Sequence, residues 1–333
     1  MTKIINLPKY NFFNFYHCSD AHNEHVMWRK KEYSCHTYHP IPQDNGESGA
    51  ILLLSGDMLR FKKFHMNIQW LEYTASKFDA VVYVMGNHEY YDTSLDKVIS
   101  KLRLKTEHIK NLHVLENDDV VFKHGDNELA VIGATLWTDF DVTGDGSQLQ
   151  STMNRVGYFV DRFNFEFTDF YRIRHKKGDG YVRVKPFVLR AKHLESRDYI
   201  FNRAAKHKSM NRTVLVLTHH SPSYFSATHF EEQCWLQSVF EESSVSNLPT
   251  FDYDDLDRLY SSRFDWGTSM YCSRLEKEIL ASDIDYWGHG HLHAARRYRL
   301  GHVEIDNNPL GYYTSRNTAF NQEPWFTWGQ NAN

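Results

Sequence analysis

Cysteine is scarce in this chain: 4 in 333 residues, at Cys18, Cys35, Cys234 and Cys272, with no Cys-x-x-Cys pair and no dense framework. That excludes a disulfide-stapled scaffold and a thiolate-bound structural zinc, and it points to a reducing compartment. Long apolar runs are missing as well. No stretch approaches the ~20 residues of a membrane span, and the opening Met1 to Leu7 is broken by Pro8 and by polar residues before a signal-peptide core can form. The expectation is a cytoplasmic protein with no membrane partner. Nor is there an excess of positive charge: 38 Lys and Arg against 42 Asp and Glu leave a net charge of −4 and a pI near 6.6. No global field therefore draws in nucleic acid. The local run Arg172-Ile173-Arg174-His175-Lys176-Lys177 goes against this balance, and such runs are solvated faces more often than phosphate sites. Repeats, low-complexity tracts and inter-domain linkers are absent, so residues 1–333 read as a single domain.

What is present is a set of apolar strands with polar tips. Hydrophobic residues at 41% are enough to bury a core without staples, so a metal here would serve chemistry rather than folding. The run Asn11 to Cys18 leads into Asp20 and His22, and Ala50 to Ser55 into Gly56-Asp57. Val81 to Met85 leads into Gly86-Asn87-His88-Glu89, Thr213 to Leu217 into Thr218-His219-His220, and Ile284 to Trp287 into Gly288-His289-Gly290-His291-Leu292-His293. Short, continuously apolar runs mark strands covered on both faces. Helical spacing of Ile68, Leu71 and Ala75 between the second and third of these strands completes a strand-helix-strand crossover unit. Three segments, 23–48, 141–186 and 224–265, are polar, aromatic and irregular, and read as long insertions.

In open α/β sheets the ligand site lies beyond the carboxyl ends of the strands. Asp20, His22, Asp57, Asn87, His88, His219, His289 and His291 can therefore converge although they are scattered along the chain. Each alone has a bland reading as a turn former, a cap or a packed histidine. Jointly they make a set of carboxylate, amide and imidazole donors suited to divalent metals. His289 and His291, at alternating positions, would aim at one place.

The ordered blocks Asp20-x-His22, Gly56-Asp57, Gly86-Asn87-His88-Glu89, His219 and Gly288-His289-x-His291 resemble the signature of the calcineurin-like metallophosphoesterases. Gly133 to Phe140 and Asn308-Pro309-Leu310-Gly311-Tyr312 are similar to a bacterial and phage branch of that superfamily. The resemblance implies an α/β fold of metallophosphoesterase type, a four-layer α/β/β/α sandwich with two mixed sheets flanked by helices and with long loop insertions. It also implies two divalent ions, with manganese expected first and iron, zinc, nickel or magnesium as alternatives. One metal would take Asp20, His22, Asp57 and His291; the other would take Asp57, Asn87, His219 and His289, with Asp57 bridging. His88 would lie at the rim, donating a hydrogen bond to the phosphoryl group or protonating the leaving alkoxide, while His220 and His293 would sit beside the ligands or at the surface without holding a metal.

Two departures narrow the activity. Gly56-Asp57 continues as Met58-Leu59-Arg60 without the further aspartate of the protein Ser/Thr phosphatases, which argues against protein phosphatase activity. Arg60 becomes a candidate substrate-binding group or a surface residue. No tyrosine occurs from Met58 to Phe61 to hold ferric iron as in purple acid phosphatases. The expected function is hydrolysis of a small phosphomonoester or phosphodiester, a nucleotide among the candidates, by a metal-bridging hydroxide. The alternatives are a nuclease of the same superfamily, with Arg172, Arg174, Lys176 and Lys177 as its basic groove, or a non-catalytic binding protein on the same fold.

Overall fold

The continuously apolar runs become interior strands, and their alternating side chains are divided between packed layers. The computed structural model of the chain describes residues 2–8, 10–25, 38, 40–42, 48–61, 64–163, 167–227, 238–240, 243–244, 246–261, 264, 266–312 and 314–329. Its strands in chain order are β1 (Lys3–Asn6), β2 (Phe12–Cys18), β3 (Gly49–Ser55), β4 (Ala80–Val84), β5 (Leu112–Leu115), β6 (Asp118–His124) and β7 (Asn127–Ala134). There follow β8 (Arg174–Lys177), β9 (Gly180–Arg183), β10 (Thr213–Thr218), β11 (Thr250–Phe251), β12 (Tyr286–His289), β13 (Arg296–Leu300), β14 (Val303–Asn307) and β15 (Phe326–Gly329).

A 5-stranded sheet runs β15-β2-β3-β4-β5, and an 8-stranded sheet runs β1-β6-β7-β10-β12-β14-β13-β11. In the smaller sheet β2 to β5 are parallel and β15 is antiparallel to β2. In the larger, β7, β10, β12 and β14 are parallel, and β6 and β13 run against their neighbours β7 and β14. Both sheets are mixed.

The period of two along each strand accounts for the layering. Phe13, Phe15, Ile51, Leu53, Val82 and Val84 of the smaller sheet pack against Val120, Phe122, Leu129, Val131, Leu215 and Leu217 of the larger. Their neighbours face outward: Tyr16, Leu52, Leu54, Val81 and Tyr83 meet Trp70, Leu71, Ala75, Val98 and Leu102 from the helices Phe64–Ala75 and Val98–Thr106. On the other side Ile132, Val214, Val216 and Ile305 meet Ile200 and Ala204 of the helix Pro186–Lys208 and Leu256 and Leu259 of Tyr253–Ser261. This is the α/β/β/α sandwich with two mixed sheets.

The insertions are more ordered than their composition suggested. Segment 141–186 contains the helices Leu149–Phe163 and Thr168–Arg172 and the antiparallel hairpin β8–β9. Leu149, Met153 and Val156 recur at helical spacing and pack on the outer core of the smaller sheet, a stripe diluted by the polar residues between them. Segment 224–265 contributes a 3-10 turn at Tyr224–Ser226, β11 and the helix Tyr253–Ser261, with residues 228–237 outside the described set. Most of 23–48 also lies outside the described residues.

A buried polar bridge ties the sheets together behind the site. His17 of β2 places Nδ1 2.6 Å from Asp306 Oδ2 of β14 and Nε2 2.6 Å from Ser55 Oγ of β3, and Arg297 Nε donates to the other Asp306 oxygen at 2.7 Å. Burial would raise the Asp306 carboxyl, and the His17 hydrogen bond with the Arg297 charge holds it low instead. His17→Ala should therefore cost about 2–3 kcal/mol by leaving a buried carboxylate short of a partner. Urea unfolding checks this as a lower midpoint at unchanged slope; a loss below about 0.5 kcal/mol would show the bridge to be dispensable.

Candidate metal centre

Parallel strands deliver their carboxyl ends to one edge, and here the edges of both sheets meet. Asp20 and His22 follow β2, Asp57 follows β3, Asn87 and His88 follow β4, His219 follows β10 and His291 follows β12. The turns are laced together: Asp20 N donates to Gly56 O at 3.0 Å, His22 N to Asp57 O at 3.0 Å and Gly290 N to His219 O at 2.9 Å. Asp20, His22, Asp57 and His291 all have left-handed backbones, with φ of 52°, 45°, 51° and 68°. Each costs on the order of 1 kcal/mol for a residue with a Cβ, and none lies inside a strand or helix. A Cβ on Gly86 would lie 2.1 Å from Asp57 Oδ1, so only glycine admits the carboxylate there.

Donor atoms of Asp20, His22 and His293 lie within 4.8 Å of one another, and so do those of Asp57, His219 and His291. His22 Nε2 is 3.2 Å from His293 Nε2, and His219 Nε2 is 3.1 Å from His291 Nδ1 and 3.0 Å from Asn87 Oδ1. Asp57 stands between the groups, with Oδ1 3.4 Å from His219 Nε2 and Oδ2 4.0 Å from His22 Nε2. His219 Nδ1 is 2.7 Å from the carbonyl of Ser55, which can only accept; Nδ1 therefore carries a proton, and Nε2 is the nitrogen that faces the cluster.

The structure groups the histidines of the motif differently from the expected assignment. His289 was expected to hold one metal and His291 the other, but His289 is still within β12, paired with Asn307. Its Nε2 is 3.0 Å from Ser226 Oγ. His291 joins Asp57 and His219 rather than Asp20 and His22, and His293, expected to lie outside, takes the place beside Asp20. The alternation that placed His289 and His291 together fails because the strand ends at His289 and the next turn carries His291 at positive φ. A finer signal lay in the glycines: a Cβ on Gly290 would approach Asp20 Oδ2 to 2.7 Å, whereas on Gly288 the nearest atom, Leu217 Cδ1, would be 3.1 Å away. Gly290-His291-Leu292-His293 is the unit that touches the cluster.

Residues missed in the sequence orient those found. Glu24 Oε1 is 2.8 Å from His88 Nδ1 and 3.3 Å from His22 Nδ1. Asp169, from the helix Thr168–Arg172, accepts from Asn87 Nδ2 at 2.7 Å and from Tyr91 OH at 2.7 Å, which turns the Asn87 carbonyl oxygen toward His219. Glu89 accepts the N–H groups of Asp57, Met58, Leu59 and Gly86 at 2.8–3.0 Å and holds the Asp57 turn. No feature of the sequence distinguishes Glu24 or Asp169 from the other acids of their loops.

Electrostatics favour positive charge at this spot. Burial would raise Asp57, yet His219 and His88 beside it hold it well below the usual carboxylate range. Burial alone would depress His219 and His88; the Asp57 charge lifts them to about 10 and about 9, with Glu24 adding to the latter. His289, away from the cluster, is pulled by burial down to about 4. The residues also fit metal ions by a second measure: Asp20 Oδ1 is buried with no hydrogen-bond partner among the described residues and lies 3.5 Å from His293 Nε2.

A cavity of about 650 Å³ opens above the cluster. Its floor includes Asp57, Asn87, His88, His291 and His293, and Tyr91, Phe167, Tyr271 and Tyr312 contribute aromatic surface to its walls. Tyr312 stacks on His22 with centroids 4.2 Å apart. Arg60 lines the same cavity and is buried at 6% exposure, so it is no surface residue; its guanidinium pairs with Asp92, which also meets Arg172 Nε at 3.5 Å.

Comparison with known proteins places the fold. The crystal structure of a phosphopantetheinyl hydrolase from Mycobacterium tuberculosis superposes with a TM-score of 0.58 and 13% identity over 91% of each chain. The chain thus has a metallophosphoesterase-type fold. A 5′-nucleotidase from Staphylococcus aureus gives a TM-score of 0.40 at 15% identity, covering 91% of this chain and 49% of that one. No family model matches the sequence. It is similar to uncharacterized protein L509 of Acanthamoeba polyphaga mimivirus, with 22% identity over 248 residues, 72% of this chain and 71% of the relative.

This grouping of the histidines has a direct test in metal content measured by plasma mass spectrometry. His291→Ala and His293→Ala should each lower bound metal, and His289→Ala should leave it unchanged while destabilising the fold through its lost Ser226 contact. Metal loss in the His289 variant alone would restore the opposite register.

Proposed function

We propose that this protein is a dinuclear metal-dependent phosphoesterase that hydrolyses a phosphomonoester or phosphodiester. The observation that carries the proposal is the pair of donor clusters meeting at Asp57 on the floor of one cavity, with His88 beside them. Asp20, His22, Asp57 and His293 would hold one ion, and Asp57, Asn87, His219 and His291 the other. The donors are carboxylate, amide and imidazole without thiolate, which suits manganese, iron, zinc, nickel or magnesium. Two such ions, when bound, supply a nucleophilic oxygen at neutral pH and neutralise charge on the phosphoryl group.

The chain's own residues supply the rest. Glu24 holds His88 through Nδ1, so Nε2 is the nitrogen turned to the reacting group, 3.8 Å from Asp57 Oδ2. Held in that orientation, Nε2–H can protonate the departing alkoxide oxygen. Asp169 and Tyr91 fix the Asn87 amide, and Glu89 fixes the turn of Asp57, so these groups need no rearrangement during turnover. Aromatic walls limit water around the ester. The cavity volume of about 650 Å³ supports a reacting unit the size of a single nucleotide above the cluster.

Purified protein loaded with Mn²⁺ should cleave bis-p-nitrophenyl phosphate or p-nitrophenyl phosphate and lose activity on chelation. Asp57→Asn should nearly abolish turnover, and His88→Ala should lower kcat by ~10²-fold or more with metal content intact. Glu24→Gln should lower kcat by roughly tenfold. A protein that binds two metals and cleaves no phosphate ester would be a binding module on this fold.

A further inference from the structure

Past Arg172, which lines the cavity above the metal centre, the basic run of the sequence takes no part in that centre. It forms β8, and in the hairpin with β9 Arg174 lies opposite Arg183 and Lys176 opposite Tyr181. Cross-strand partners, and residues two apart along a strand, project to the same side. One face of the hairpin therefore carries Arg174, Lys176, Tyr181 and Arg183. Like charges placed directly opposite one another destabilise a hairpin, and neither arginine has a carboxylate partner among the described residues.

A second cavity of about 500 Å³ adjoins this hairpin, lined by Lys97, Arg172, Arg174 and Arg183 with Tyr171 and Tyr181. Arg172 lines both this cavity and the one above the metal centre, so one side chain borders the two. Lys97 Nζ lies 4.2 Å from the Tyr181 ring centroid and the Arg183 guanidinium 4.4 Å from that of Tyr171, which is about half exposed. Ser94 Oγ, buried in the wall of the same cavity, has no hydrogen-bond partner among the described residues. The carboxylate in the wall, Asp92, is engaged by Arg60 and Arg172. In a chain with net charge −4 this is a local reversal of sign.

We propose that this groove is an extension of the catalytic cavity that holds the backbone of a single-stranded nucleic acid, whose scissile phosphate reaches Asp57 while adjacent phosphates lie along the hairpin. The proposal rests on the phosphoesterase reading above. Arginines without carboxylate partners bind phosphates through paired N–H groups, and tyrosines beside a cationic track offer stacking faces to bases of any sequence. Asp57 is only 2% exposed at the cavity floor, and a flexible single strand bends toward such a recess more readily than a rigid duplex. The reaction is hydrolysis: one water adds, its oxygen bonds to phosphorus and gives up a proton to solvent, the bond from phosphorus to the departing sugar oxygen breaks, that oxygen takes a proton from His88, and His88 recovers a proton from solvent.

The test uses the full-length Mn²⁺-loaded protein and a fluorescein-labelled single-stranded oligonucleotide of about 12 nucleotides, within the span of known single-strand sites. Anisotropy reports binding, and cleavage is followed beside bis-p-nitrophenyl phosphate. The double variant Arg174→Glu/Arg183→Glu should weaken binding and lower kcat/KM for the oligonucleotide about 10- to 100-fold, and should reduce the salt slope of binding by about 1.4. Hydrolysis of the small diester should not change, and Arg174→Lys/Arg183→Lys should keep most of the binding. If charge reversal prevents folding, Arg174→Gln/Arg183→Gln carries the same expectation. Oligonucleotide binding that ignores the hairpin, or polyglutamate that competes equally well, overturns the groove as a nucleic-acid site. Hairpin-dependent binding without cleavage of any ester supports the groove and overturns the phosphoesterase reading instead.

Discussion

A single carboxylate, Asp57, sets the terms for the rest of the site. It is 2% exposed, and an ionised carboxylate removed from water without compensation is so costly that it would normally take up a proton. Here it cannot relax into a neutral pocket: Glu89 fixes the backbone of its turn through the N–H groups of Asp57, Met58 and Leu59, and the absence of a side chain at Gly86 lets its oxygen sit against the next strand's turn. Positive charge has to come to it. The imidazoles of His22, His88 and His219 do so from different strand ends, and the left-handed backbones of Asp20, His22 and His291 are the conformational cost of bringing the neighbouring donors within reach.

The donors are divided between the sheets. Asp20, His22, Asp57, Asn87 and His88 follow strands of the smaller sheet, while His219, His291 and His293 follow strands of the larger. Neither sheet alone assembles the cluster, so the apolar layer of Phe13, Phe15, Leu53, Val131 and Leu217 between them is as much a part of the site's geometry as the ligands. The bridge from His17 to Asp306 lies in that layer, and its partners Ser55 and Asp306 are close in sequence to Asp57 and to the segment that supplies Tyr312. Packing that keeps the sheets in register also keeps the donor atoms within coordinating distance.

How much of this was legible follows from the physics of each signal. The interior strands were readable because parallel strands buried on both faces are continuously apolar, and their polar tips stood out against those runs. Asp20, His22, Asp57, Asn87 and His219 could be picked from that contrast alone. The histidine register could not, because Gly288-His289-Gly290-His291 and Gly290-His291-Leu292-His293 have the same pattern and the choice depends on where β12 ends. Glu24 and Asp169 were invisible for a different reason: a lone acid in a polar loop acquires its role only from what lies across the fold, His88 for one and Asn87 for the other. The elements in segment 141–186 escaped because a short hairpin with two solvated faces has no hydrophobic period to detect.

The arginines beside the cavity answer a problem that the metal centre creates. Asp20, Glu24, Asp57 and Asp169 concentrate negative charge around the floor, and an anionic ester approaching them is repelled until that charge is offset. Divalent ions would offset it locally, but the approach path would remain unfavourable in a chain of net charge −4. Arg60 and Arg172 lie along that path, sharing Asp92 and flanking the Tyr91 ring at 5.9 and 5.7 Å. Asp92 holds both guanidinium groups in a fixed position, so they need no ordering before a ligand arrives. Tyr91 in turn donates to Asp169, which orients Asn87. The arginine-lined wall of the cavity and the amide that faces His219 are thus set by one connected network.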